Sequence, residues 1–261
     1  MKKYELTSET KVIDGVELHR IKALYSFGYI KKGDLGGWIE SEKNLSQDGK
    51  AWVGGGAEVY GDAEVYGDAE VYDNAKVYDN AKVGGGAEVY GDAEVYDNAK
   101  VYDNAEVCGN AWVYGDAWVY DNAEVYGNAW VYDNAKVGGN TRVYGDAWVY
   151  ENARVDGHAI VGGHATVCGH ATVGDYATVG DNAEVCGNAR VFRNADFIVF
   201  KNRWSSGRHF TWTRSNNKWK VGCFYGSGEE LIAKAYKDSE KSGREYERVV
   251  KYVESILKEE K

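Results

Sequence analysis

Proline is missing from all 261 residues, and methionine occurs once. Proline cannot donate to a β ladder, so its absence leaves room for one long, uninterrupted array of strands. Long apolar runs are missing too. Nothing approaches the roughly 18 apolar residues of a membrane span, and Met1-Lys2-Lys3-Tyr4-Glu5 has no apolar region of the kind a secretory leader carries. The chain therefore reads as cytoplasmic, with no membrane partner. Four cysteines are too few for a disulfide framework at this size. Positive charge is in deficit, with a formal net charge of -10, which argues against a nucleic-acid coat. The deficit is uneven: residues 1–50 sum to +1, 51–200 to -16 and 201–261 to +5, an acidic middle with a basic tail piece.

What the sequence has is repetition. Twenty-five consecutive hexads run from Ala51 to Phe200. Place one is Ala except at Thr141, and place three is Val except at Phe197. Places five and six are mostly Gly, Asp or Asn, as in Ala63-Glu64-Val65-Tyr66-Gly67-Asp68. A fixed short period marks a solenoid, in which each unit buries its apolar side only by stacking on neighbours. Alternation puts places one and three inside and places two and four outside. Gly, Asp and Asn tolerate the backbone angles of a sharp corner. Three sides close a triangular coil of 18 residues, so the repeats make about eight coils and a rod roughly 40 Å long.

This pattern resembles the hexapeptide-repeat proteins of the left-handed parallel β-helix. With the Gly33–Glu40 segment GDLGGWIE and the short tail, it is similar to the transferase-like members of bacteria and their phages. The resemblance implies a mainly β fold and left-handed coiling. It also implies an acyltransferase alternative: a trimer using CoA-type donors, with a catalytic His near a loop extruded from the coils. No loop interrupts these 25 hexads, so one chain offers no evident wall for a pantetheine tunnel and no seat for such a base, and the alternative places its site at a subunit interface.

Residues 18 apart stack, so the surface can be read in columns. On face one, place two carries Glu58, Lys76, Glu94, Trp112, Trp130, Trp148, Thr166 and Glu184. Place four carries Tyr60 through Tyr150, then Cys168 and Cys186. Trp112, Tyr114, Trp130, Tyr132, Trp148 and Tyr150 should therefore form one exposed aromatic patch, either an interaction surface or self-packing ladders. Face two stacks Glu70, Glu88, Glu106 and Glu124 before Arg142, and face three places Trp118 among Lys82, Lys100 and Lys136. The acidic rod approaches the charge density of duplex DNA, about one charge per 1.7 Å, which raises DNA mimicry as a minor reading. His158, His164 and His170 fall on three corners of one coil, too far apart for one metal ion. Cys168 and Cys186 come within disulfide range, yet a cytoplasmic chain favours two reduced thiols.

The flanks read as caps. Residues 1–50 form a β segment with a hairpin turning at Asp14-Gly15. In residues 201–261, Arg208–Arg214 and Lys218–Tyr225 read as a hairpin across Asn216-Asn217, pairing Arg214 with Trp219, Trp212 with Val221 and Phe210 with Cys223. That register makes Cys223 a core residue and sets it on the opposite face from His209. A helix opens at a Ser227–Glu230 capping box and runs to about Asp238, and a second covers about Gly243–Lys258. Lys201, Arg203, Arg208, Arg214, Lys218 and Lys220 remain as candidates for an anionic ligand, nucleotide or nucleic-acid-like, or for docking on the acidic rod. The whole reads as a non-catalytic binding scaffold with no cofactor and no metal, working as a homo-oligomer (dimer or trimer), with a protein partner or a small anion as the other candidates.

Overall fold

The computed structural model describes residues 1–259. Its three long sheets are built from every third strand, the signature of a three-sided parallel β-solenoid. Each hexad from Ala51 contributes one two-residue strand at places two and three, from β4 (Trp52–Val53) to β27 (Arg190–Val191). Parallel pairing follows the 18-residue register throughout, with Trp112 beside Trp130 and Glu88 beside Glu106. The Ala and Val columns are buried along the whole rod and form one continuous core. Small Ala at place one lets the chain turn, while β-branched Val at place three fills the interior.

Corners fold as they do because place five adopts left-handed backbone. Asp79 has φ +57° and Gly85 φ +68°. A side chain at Gly85 would also meet the backbone of Asp103 in the next coil, 2.7 Å from its nitrogen. Corner side chains tie coils together: Asn104 donates to Asn122, and Asn122 to Asn140, at 3.3 and 3.2 Å. Asp97 accepts from the Gly115 amide at 3.1 Å. Much of the acid of the rod is thus hydrogen-bonding hardware of the corners.

The N-terminal segment closes one end. Strands β1 (Tyr4–Ile13) and β2 (Val16–Ala23) form the expected hairpin through Asp14 and Gly15, both at positive φ. Strand β3 (Leu35–Ile39) then joins the first coil, pairing Trp38 with Glu58. With the bridge from Leu45 to Val65, it begins a partial turn beneath the eight full ones. Beneath the core, the fully buried Lys3 ammonium donates to the Ala51 carbonyl at 2.8 Å, and the Tyr4 hydroxyl to that of Leu45 at 2.6 Å.

At the other end the structure corrects the repeat count. The twenty-fifth hexad leaves the coil. Asp196 turns inward and accepts from the Phe192 and Arg193 amides at 2.9 and 3.0 Å, fixing a tight turn over Asn194–Asp196. The chain then continues as β28 (Phe197–Lys201), the edge of a four-stranded antiparallel sheet with β29 (His209–Thr213), β30 (Lys218–Val221) and β31 (Phe224–Gly226).

Within that sheet the hairpin register also differs from expectation. Trp212 pairs with Trp219, and Thr211 with Lys220, around the four-residue loop Arg214–Asn217. The longer loop is held by Asn217, which accepts from the Trp212 indole at 2.9 Å, and by Asn216, which accepts from the Thr213 hydroxyl at 2.6 Å. The two-residue turn expected across Asn216-Asn217 had no place for those bonds. A second turn at Gly222-Cys223 leaves Cys223 exposed rather than in the core, and puts Phe224 opposite Val221.

Helices α1 (Gly228–Asp238) and α2 (Glu240–Glu259) lie on the sheet's apolar face, burying Phe210, Trp212, Trp219, Leu231, Val250 and Val253. The capping box is present: Ser227 accepts from the Glu230 amide at 3.2 Å, and Glu230 from that of Ser227 at 2.7 Å. Among the described residues no helix is long and apolar enough to cross a membrane.

Cys168 and Cys186 are joined by a disulfide, against the expectation of two free thiols. The ladder itself holds their Cα atoms 4.5 Å apart, within bonding range, whereas the expectation rested on compartment alone.

Candidate functional site

Face one carries two adjacent aromatic ladders. At place four, Tyr60, Tyr78, Tyr96, Tyr114, Tyr132 and Tyr150 stack in register, with ring centroids 4.9–5.2 Å apart. At place two, Trp112 and Trp130 stack at 5.0 Å, and Trp130 and Trp148 at 5.4 Å. Edge contacts from Tyr96 to Trp112 and from Tyr114 to Trp130 lock one ladder to the other. The strand spacing of ~4.8 Å is close to the stacking distance of aromatic rings, so the register builds the ladders without distortion. Trp112 and Trp130 are half-buried by their neighbours, and Trp148 is 42% exposed. Burial drives the phenol pKa values up along the column, to about 12 for Tyr60 and Tyr96, so every rung is neutral at physiological pH.

The column is bounded by the two caps. At its N-terminal end the Lys11 ammonium meets Glu58 at 2.7 Å and sits 4.7 Å from the Trp38 ring centroid. At its C-terminal end the Glu184 amide donates to the Thr211 hydroxyl at 2.8 Å, and the Lys220 ammonium lies 3.6 Å from the Glu184 carboxylate. Arg208 and His209 stand beside Thr166 and Glu184 there. The basic tail piece thus sits on the end of its own rod, continuous with the aromatic face.

The other columns are more fully partnered than the sequence suggests. On face two, Tyr72 donates to Glu88 at 2.8 Å, Tyr90 to Glu106 at 3.3 Å and Tyr29 to Glu70 at 2.6 Å, while Arg142 pairs with Glu124 at 3.3 Å. Glu70, Glu88 and Glu106 are each held by a phenol and Glu124 by a guanidinium, so the column is not a bare acidic stripe. On face three, Trp118 lies between the ammonium groups of Lys100 and Lys136, 4.6 and 4.9 Å from its centroid. His158 stacks on Tyr176, and His164 Nδ1 lies 3.3 Å from the Asp146 carboxylate. No cluster of three or more metal-binding side chains occurs among the described residues.

The six tail-piece cations are not gathered in one place. Lys201 and Arg203 are exposed at the end of β28. Arg214 donates from Nε to the Ala195 carbonyl at 3.2 Å and lies 6.0 Å from the Trp212 centroid. Lys218 is 4.0 Å from Glu230, and Lys220 is committed to Glu184 and to the Gly222 carbonyl. Arg208 lines both the shallower depression beside Thr166 and Glu184 and a cleft of about 370 Å³ between the 202–208 loop and α1. Lys234 and Tyr246, which sequence reasoning passed over as ordinary helix residues, line it as well. Nothing in the helical spacing separates them from their neighbours. The chain matches no family model and no curated protein.

Proposed function

We propose that the protein is a non-catalytic binding scaffold that works as a homodimer, with face one of each copy covering the other. The supporting observation is the order of the place-two column. Read outward from Trp130, Trp112 faces Trp148, Glu94 faces Thr166 and Lys76 faces Glu184 about a twofold axis. A twofold interface needs such self-complementarity. Here it opposes indole to indole at the centre and ammonium to carboxylate toward the rim, the usual partition of a dimer contact. The same axis brings the Asp14 turn of one hairpin toward the basic C-terminal unit of the other copy. Rod rigidity matters for this role, because every rung is fixed by its neighbours and the face is preorganised.

The acyltransferase reading implied by the hexapeptide-repeat resemblance would need its site at a subunit interface, since the six-residue spacing runs unbroken from β4 to β27 and extrudes no loop. Mass in solution tests the proposal. Wild-type protein is expected at twice 28.9 kDa and Trp148→Asp at 28.9 kDa with an unchanged circular-dichroism spectrum. A monomeric wild type, or a dimer indifferent to both Trp148→Asp and Lys76→Glu, would overturn it.

A further inference from the structure

We infer that the C-terminal cleft is a binding site for a phosphate ester carrying a planar ring, of which a mononucleotide is the simplest case. The cleft adjoins the C-terminal end of face one, where Arg208 also stands beside Thr166 and Glu184, but no residue of the aromatic ladders lines it.

The cleft is preorganised by one buried residue. Asn202 is 2% exposed and uses its side chain to shape the whole 202–208 loop. Its amide nitrogen donates to the Ser205 hydroxyl at 2.9 Å and to the Tyr246 hydroxyl at 3.2 Å. Its amide oxygen accepts from the Ser205 and Trp204 backbones at 2.9 and 3.2 Å. The Asn202 backbone N–H donates to the Arg208 carbonyl at 2.8 Å, closing the loop. A loop tied at its centre and at its end holds Ser206 and Arg208 at the mouth of the cleft without further ordering cost.

Charge and shape then specify the ligand class. Arg208 comes from the loop and Lys234 from α1, so two cations approach from different elements. Neither makes an ion pair among the described residues. Arg208 is the planar fork suited to bidentate phosphate, and Lys234 the compact charge that completes it. Phe224 and Tyr246 supply ring surfaces, and Val221 and Leu231 complete an apolar floor. Lys234 already stands 5.6 Å from the Phe224 centroid, which links the anionic end to the ring end. Asp238 also lines the cleft and can accept from an amino or hydroxyl group of the ligand. At about 370 Å³ the space falls in the range of small-ligand sites.

The chain contains its own reporter. Cys223 is exposed and lies on the rim of the cleft, whereas Cys108 is half-buried with its thiol pKa pushed up by burial, and the other two cysteines are bonded to each other. A thiol-specific chromogenic disulfide therefore modifies Cys223 first. The experiment measures that rate, and the melting temperature, with adenosine monophosphate as probe and with adenosine and inorganic phosphate separately. Adenosine monophosphate is expected to slow Cys223 modification severalfold and raise the melting temperature. Arg208→Glu and Lys234→Glu should each weaken both effects about tenfold or more, while Lys201→Glu/Arg203→Glu, outside the cleft, leaves them intact. Absence of both effects overturns the inference. So does equal weakening by Lys201→Glu/Arg203→Glu, which would mean diffuse attraction to a basic surface. Protection by adenosine alone, unaffected by Arg208→Glu, overturns the phosphate assignment. The same measurements repeated in a Trp148→Asp background keep this test distinct from that of the dimer: protection by adenosine monophosphate that is lost in Arg208→Glu supports the cleft whether or not two rods associate.

Discussion

Removing the ring of Trp130 tests how the rod uses its aromatic columns. Trp130 stacks on Trp112 at 5.0 Å and on Trp148 at 5.4 Å, and meets the edge of Tyr114 at 6.2 Å. Aromatic pairs contribute about 0.5–1.5 kcal/mol beyond area burial, so Trp130→Ala should cost about 3 kcal/mol for its three contacts. Trp148 has one such partner and is 42% exposed, so Trp148→Ala should cost about 1 kcal/mol. Urea unfolding followed by circular dichroism reads both, compared at concentrations where each variant is monomeric. A double-mutant cycle between Trp112 and Trp130 should return a coupling near 1 kcal/mol. Equal losses for the two single variants, or zero coupling, would refute the view that the ladders stabilise the rod.

Three further outcomes follow from particular residues. Reducing Cys168–Cys186, which closes an 18-residue loop, should lower stability by about 3 kcal/mol on the chain-entropy account. Dithiothreitol should therefore lower the melting temperature of wild type and not that of Cys168→Ser/Cys186→Ser. Thr141 replaces the usual Ala in the core, and its hydroxyl is buried with no partner among the described residues. Thr141→Ala should raise stability by about 1 kcal/mol, read as a higher urea midpoint. Lys3 has its pKa lowered to about 8 by desolvation. Its folded pKa lies below the unfolded value of 10.5, so the unfolded chain holds more protons between the two and stability rises with pH through that window. Tyrosines such as Tyr60, raised to about 12, act oppositely above their unfolded value of 10.0. The net gain should therefore appear between pH 8 and 10 and vanish in Lys3→Met.

The rod was legible because its signals are local and repeated. Ala at place one, Val at place three and left-handed formers at place five each dictate their own geometry, and 18-residue stacking follows by counting. Counting also placed Trp112, Trp130 and Trp148 above one another. Where the chain stops repeating, the sequence ceases to be a ruler. The fate of the twenty-fifth hexad depends on Asp196 turning its carboxylate onto two backbone amides, and its composition alone does not announce that. The hairpin register depends on Asn216 and Asn217 accepting from Thr213 and Trp212 across a four-residue loop, a choice that alternation cannot separate from a two-residue turn. The C-terminal cleft was hidden for a similar reason. Asn202, Arg208, Lys234 and Tyr246 come from three elements, and only the packed sheet and helices bring them together.

The most direct measurement is cross-linking at the centre of face one. A twofold axis through residue 130 sets that position against its own copy, so Trp130→Cys in a Cys108→Ser/Cys223→Ser background should oxidise readily to a covalent dimer. Trp118→Cys, on face three, should not. Efficient linkage at 130 alone is the predicted result. No linkage at 130, or equal linkage at 118, would contradict the proposal that two rods associate through their aromatic faces.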